Sequence, residues 1–529
     1  MRHLFRHVLP VLALLATSSA AAQPSPPRGG TLVIAASSDL QGMNSLVASE
    51  AYTGEVLKHV LFLPLVRYDE QLRLQPALAR SWKIVGDTLV QFRLRDDVHW
   101  HDGRRTTAHD VVFTFERARD PRTGFPAAAD LEHWVSVQLV DSLTVRFRIV
   151  PHADPLAVWS TLAIMPAHLL AQIAPEQLRN AEFNHAPIGN GPFRFVSRRA
   201  NDRWIFEPNP LFPVELGGPP SIGRLVWRVV PDNASQVAEL LTGQADIMLA
   251  PRAEQVKELG TRPGLRGMTK PSRRYYFIDW NGRRPHLSDP RVRRALMMAL
   301  DRRTMIDVLR KGYAQIATGP IAPYHWAFDR NLEPLPYDRD AAVRLLADAG
   351  FRDRNGDGVL ESAAGEKLEI ELKVAANSAF NRDLGEMIRA DLAAIGVTVR
   401  PRPVDFATLV DDISSPERNF DAALLAFETE FRLNLSDSFH SEALGGPFQS
   451  ASYSNPRVDR LLDQVRVTTD RAAALRLYSE LQRILLHEQP WGVLWYPPEL
   501  LLARDRVRGF APDIRGLFAA VTTWSVAPH

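Results

Sequence analysis

The chain has no cysteine. That excludes disulfide bridges, thiol nucleophiles and Cys-based metal sites. Long apolar runs are also missing beyond the N-terminus, so no later segment reads as membrane-spanning. There is no basic block to bind nucleic acid and no acidic tail: the formal net charge is only +2, with arginines and acids interspersed. No G-x-S-x-G elbow, H-E-x-x-H pair or S-x-x-K set is present, which removes the common hydrolase signatures. What remains is a 529-residue chain, 45% hydrophobic and 23% charged. That is ordinary globular composition, long enough for two or three folding units.

Residues 1–22 read as a signal peptide. Arg2 and Arg6 precede an apolar run from Val8 to Ala16, and Ala20-Ala21-Ala22 offers a small-residue cleavage site. No cysteine follows it, so the expected product is a free periplasmic protein without a lipid anchor. Residues 23–30 form a Pro/Gly linker.

The most informative stretch runs from Leu72 to Arg119. Pro76-Ala-Leu-Ala-Arg-Ser-Trp82 has the make-up of a short apolar helix, and Gly86-Asp87 of a turn. Val90, Phe92 and Leu94 alternate with polar residues as in a half-buried strand. Asp102-Gly103 turns the chain again. Thr107 stands three residues before Asp110, the spacing of a capping box for a helix carrying Val111, Phe115 and Ala118.

This stretch closely resembles the signature of the extracellular solute-binding proteins, family 5, the periplasmic oligopeptide- and dipeptide-binding components of ABC importers. Trp82, Trp100 and the His101-Asp102-Gly103 turn carry the likeness. Ile188-Gly-Asn-Gly-Pro-Phe-Arg-Phe195 and the segment from Phe277 through Asn281 to Arg302 extend it. The resemblance implies an α/β, two-lobed periplasmic-binding-protein fold of the class II (cluster C) type with an extra inserted domain. Lobe I would comprise 30–64, 190–282 and 491–529, the inserted domain 65–189, and lobe III 283–490. The halves would hinge near Gly282 and Pro490.

The resemblance further implies binding without catalysis. The guest would be a small solute, foremost a short peptide, handed to an inner-membrane ABC permease and its ATPase by a monomer. In peptide-binding members an aromatic and a carboxylate after a buried strand hold the peptide's amino terminus. Here Phe427 and Glu430 occupy those places, both altered from the family's Trp and Asp, and Asp437-Ser438 departs from a later Asp-Pro. The altered pair keeps other guests open: a nickel chelate, an oligosaccharide, an opine or haem. A secreted hydrolase is a third reading, because glycosidase carboxylates need no sequence motif. Trp280 and Asn281, at a strand end, are further ligand candidates, as is Asn44 in the segment 37–45 expected to line the cleft. Arg382 and Arg432 are the arginines nearest in sequence for a peptide carboxylate.

No metal or cofactor is expected. His99, His101 and His109 fall at a surface hairpin. Asp353-Arg-Asn-Gly-Asp-Gly358 starts like a calcium loop, but its twelfth position is Ala364 rather than Glu, and Asp, Asn and Gly equally make a tight turn.

Overall fold

Alternating apolar residues assemble three large sheets, beside two small two-stranded ones, in the computed structural model, which describes residues 29–152, 154–429 and 433–528. The segment read as a signal peptide, most of the linker, Glu430 and Arg432 lie outside the described residues. Among the described residues no helix is long and apolar enough to cross a membrane.

The first sheet has seven strands, in the order Leu265–Lys270, Glu499–Arg504, Ile247–Leu249, Thr31–Ala36, Arg224–Val229, Arg203–Pro208 and Phe193–Arg199. Thr31–Ala36 pairs in parallel with Arg224–Val229, which puts Leu32 beside Leu225 and Ile34 beside Trp227. All four side chains are buried. The helix Asn233–Thr242 makes the crossover to Ile247–Leu249. Asp232 caps it by accepting from Ser235 N at 2.8 Å, and Gly243 stops it in the left-handed region (φ +81°). Buried Asp246 then accepts from Val33 N (3.0 Å) and pairs with Arg506 (2.6 Å), joining three distant parts of the chain.

The second sheet has six strands: Gln315–Ile316, Trp491–Tyr496, Arg274–Trp280, Ala422–Glu428, Glu369–Ala375 and Thr398–Val404. Membership of this sheet differs from the expected lobe bounds. Arg274–Trp280 lies between Trp491–Tyr496 and Ala422–Glu428, hydrogen-bonded to both, so strands assigned to lobe I on sequence belong with lobe III. The chain passes between the two sheets at residues 271–273 and 497–498, not at Gly282 and Pro490. Prolines explain the position. Pro271, Pro497 and Pro498 have no N–H to give a ladder, so each strand stops there.

The third sheet, Ala79–Val85, Leu89–Leu94, Thr144–Ile149 and Trp134–Asp141, lies wholly within 65–189. Here one expectation fails: the run from Pro76 to Trp82 is no helix. Ala79–Val85 pairs with Leu89–Leu94, Trp82 opposite Phe92, through a turn whose Gly86 and Asp87 both have φ of +56°. Seven residues cannot sustain an isolated helix, and a ladder with an adjacent strand outweighs their propensity. The capping box does form: Thr107 N donates to Asp110 Oδ2 at 2.8 Å and opens the helix Ala108–Arg119. Trp134, Phe147 and Trp159 fill the space beneath, with ring centroids 4.9–5.2 Å apart.

The third sheet's domain docks on the first through bare backbone. A Cβ on Gly189 would lie 1.9 Å from Leu61 O, and Gly191 N donates to the same oxygen at 2.8 Å. His101 secures the contact. Its Nδ1 accepts from Gly189 N (3.2 Å) and its Nε2 donates to Gly191 O (3.1 Å). Burial pushes its pKa down to about 4, so the ring is neutral with both nitrogens engaged, which leaves neither for a metal. Gly189→Ala is therefore expected to cost about 1–3 kcal/mol by overpacking. Gly54→Ala, in a helix with open space around it, should stabilise by roughly 0.5–1 kcal/mol. Urea denaturation of both variants checks the contrast.

Candidate functional site

The two crossings lie side by side, because Lys270 and Glu499 are register partners at the ends of their strands. Above them stands the helix Ala51–Val56, capped by Glu50 through Tyr52 N (2.9 Å) and Thr53 N (2.6 Å). Below them lie the first residues of Arg274–Trp280 and the last residue of Ala422–Glu428. The space between is a cavity of about 410 Å³, bounded by both lobes and both crossings. That is within the ~300–1,000 Å³ usual for small-ligand sites.

Its wall carries both signs of charge: Lys270, Arg273, Arg274 and Arg310 against Glu55, Glu428 and Glu499. Lys270 Nζ lies 2.7 Å from Glu499. Glu428 is held between Arg273 (3.5 Å) and Arg274 (3.4 Å). Burial raises the pKa of Glu499 and Lys270 offsets this only in part. Burial acts on Glu55 too, but Lys58, His59, Lys270 and Arg273 together outweigh it and keep that carboxyl below its ordinary range. Glu55 is thus ionised, 3.6 Å from Lys58, while its Oε2 has no hydrogen-bond partner among the described residues. Gly516 makes room for it: a Cβ there would sit 1.9 Å from that oxygen. Arg310 donates to Pro498 O at 3.3 Å, and its Nε finds no partner among the described residues. The cavity therefore presents charged groups whose bonding capacity is incompletely used, as needed to hold a guest with charges of both signs.

Ser272 Oγ donates to Pro497 O, and no histidine lines the cavity among the described residues.

The residues nominated from sequence fall in several places. Phe427 lies on the strand that ends at the cavity. Its half-buried ring is 5.8 Å from Tyr275 and 6.0 Å from Trp491, one residue short of the wall at Glu428. Trp280 is placed elsewhere. Its strand starts at the cavity with Arg274, so the sixth residue onward is about 20 Å away, and the indole is buried against Gly492 and Met297. Asn281 is buried beside it, donating to Arg418 O (3.0 Å) and Phe420 O (2.7 Å) as a clamp between loops. Asn44 is fully buried and caps a turn through Leu46 N at 3.1 Å. Arg382 donates to Ala376 O at the start of the helix Ala379–Ala393. The charged wall was missed. Its signal in the sequence is a pair of proline breaks flanked by charge, Lys270-Pro271-Ser-Arg-Arg274 and Pro497-Pro498-Glu499.

Comparison with known proteins agrees with the two-lobed α/β fold. The family model "Bacterial extracellular solute-binding proteins, family 5 Middle" matches residues 73–432. The chain belongs to family 5 of the bacterial extracellular solute-binding proteins. Family 5 proteins work with ABC permeases and act as periplasmic or extracellular binders, not catalysts. Among family 5 relatives, the oligopeptide-binding protein AppA of Bacillus subtilis (strain 168) is 27% identical over 492 residues, 92% of this chain and 89% of AppA. The structure of AppA in complex with a nonapeptide superposes with a TM-score of 0.77 at 25% identity, covering 95% of this chain and 100% of that one. NikZ from Campylobacter jejuni in complex with Ni(L-His) superposes with a TM-score of 0.76 at 26% identity, covering 94% and 99%.

Proposed function

We propose that this protein captures a short peptide in the cavity between its lobes and delivers it, as a periplasmic monomer released from its signal peptide, to an inner-membrane ABC permease. The observation that carries the reading is the cavity wall, where cations and carboxylates face one space at the crossing segments. A peptide zwitterion needs both. An extended peptide also suits a site reached by strand ends, which offer backbone donors and acceptors. AppA, bound to a nonapeptide, is a relative of similar length and shape.

Native mass spectrometry of protein purified without refolding tests it, with co-purified peptides as the expected finding. A metal-containing mass would instead favour a chelate, a reading supported by four cations against three carboxylates in the wall and by the Ni(L-His) complex of NikZ. Turnover of chromogenic glycosides or esters would overturn both.

On this reading Glu430, two residues beyond Glu428, takes the peptide's ammonium group. Glu430→Gln should then weaken binding by more than about 1.5 kcal/mol, the worth of a hydrogen bond to a charged group. Unchanged affinity in calorimetry removes Glu430 from the site.

A further inference from the structure

We propose that the loop from Asp353 to Glu361 binds a calcium ion. Asp353, Asp357 and Glu361 each bring one carboxylate oxygen to within 4.8 Å of the others. The deciding group is Glu361. It is only 5% exposed; Oε1 accepts from Arg354 N at 2.9 Å, but Oε2 is buried and has no hydrogen-bond partner among the described residues. A buried carboxylate oxygen left bare is costly unless a cation meets it.

The backbone aims Glu361 over the loop. Residues 352 and 361 exchange two hydrogen bonds of 3.0 Å, which folds the chain back so that position nine faces the ring of oxygens begun by position one. Glu361 thereby takes the part that Ala364, at position twelve, cannot. Asp353 and Asp357 are held by loop N–H groups, from Gly356 (2.7 Å), Gly358 (3.0 Å) and Val359 (2.9 Å), and three of their four carboxylate oxygens keep a second lone pair for an ion, the exception being Asp357 Oδ2, which accepts from Asn355 (3.3 Å) as well as Lys367. Lys367 Nζ sits 2.7 Å from Asp357 Oδ2, on the exposed side, and is the ion's built-in competitor. Three carboxylates with only oxygen donors select a hard divalent cation. Calcium accepts an irregular shell completed by water, whereas magnesium demands near-ideal octahedral geometry.

The loop lies at the far end of the second sheet from the cavity. It precedes Glu369–Ala375, which runs parallel to Ala422–Glu428, and only the last residue of the latter lines the cavity. Leu360 N also donates to Gly396 O at 2.8 Å, so the ion would tie the loop to the turn before Thr398–Val404. Its effect should be on stability and not on solute binding.

The test is calorimetric titration of EGTA-stripped full-length protein with CaCl2, paired with thermal unfolding in 2 mM CaCl2 or EGTA. One site is expected, with a Kd of about 10 μM to 1 mM, and calcium should raise the unfolding midpoint by mass action. Glu361→Gln should weaken binding at least tenfold and remove the thermal shift. Asp357→Asn, in the exposed loop, should do the same if the first variant fails to fold. Lys367→Met should tighten binding severalfold. Wild-type protein without binding heat or thermal shift would overturn the proposal. So would Glu361→Gln binding like wild type, or MgCl2 reproducing the response at equal concentration.

Discussion

Replacing Asp279 by Asn is expected to give a stability advantage that grows by about 3–4 kcal/mol between pH 4 and pH 8. Asp279 is fully buried within Arg274–Trp280, and neither carboxylate oxygen has a hydrogen-bond partner among the described residues. Burial pushes its pKa up to about 7 from an ordinary 3.8; the nearby Ser450, Arg418 and Trp491 offset this only in part. Well below pH 3.8 the group is protonated in both folded and unfolded chains and contributes no pH dependence. Between about 4 and 7 the folded chain holds a proton that the unfolded chain has released, so stability falls by about 1.4 kcal/mol per pH unit. Above 7 the loss is complete and constant. Asn has no proton to lose, and any cost of its buried amide is the same at both pH values. Urea denaturation of wild type and variant at pH 4 and pH 8 reads the difference. An equal gain at both would sink the assignment.

Asp246→Ala should destabilise the first lobe by about 3–5 kcal/mol, the usual result of stripping one partner from a buried ion pair. Asp246 is 1% exposed and grips Arg506 with both oxygens, at 2.6 and 3.1 Å, while accepting from Val33 N. Its loss leaves a largely buried guanidinium and a strand N–H without their acceptor. Arg506 also donates to Thr31 O (3.1 Å) and Ala527 O (3.2 Å), so it would stay in place as an uncompensated charge. Asp246→Ala/Arg506→Met should therefore recover part of the loss. Guanidinium denaturation followed by tryptophan fluorescence measures both, and strict additivity of the two substitutions would contradict the pairing.

Local chemistry was legible in the sequence wherever one residue decides one bond. Thr107 and Asp110 close the capping box their spacing suggested, and Asp232, Asp289, Asp338 and Asp470 each cap the helix that follows. Strands such as Leu89–Leu94 show their alternation directly, with Val90, Phe92 and Leu94 inward. The resemblance carried the family and the architecture. The misses share one cause, which is that partners distant in the chain made the choice. The residues from Pro76 to Trp82 became extended because a strand was waiting. Trp280 stands at the end of the sheet away from the charged cavity, where it lines a separate hollow with Arg293, Tyr453 and Glu488. The charged wall gathers residues near 55, 270, 428 and 499, and no local pattern joins them.

The strand order of the first sheet has a consequence for biosynthesis. Glu499–Arg504 sits inside that sheet, between Ile247–Leu249 and Leu265–Lys270. Until it arrives, those two strands have no bridge, and Asp246 has no arginine. A growing chain therefore carries an unfinished first lobe until residues 499–506 join it, and any product truncated before residue 499 would be a ready substrate for proteases.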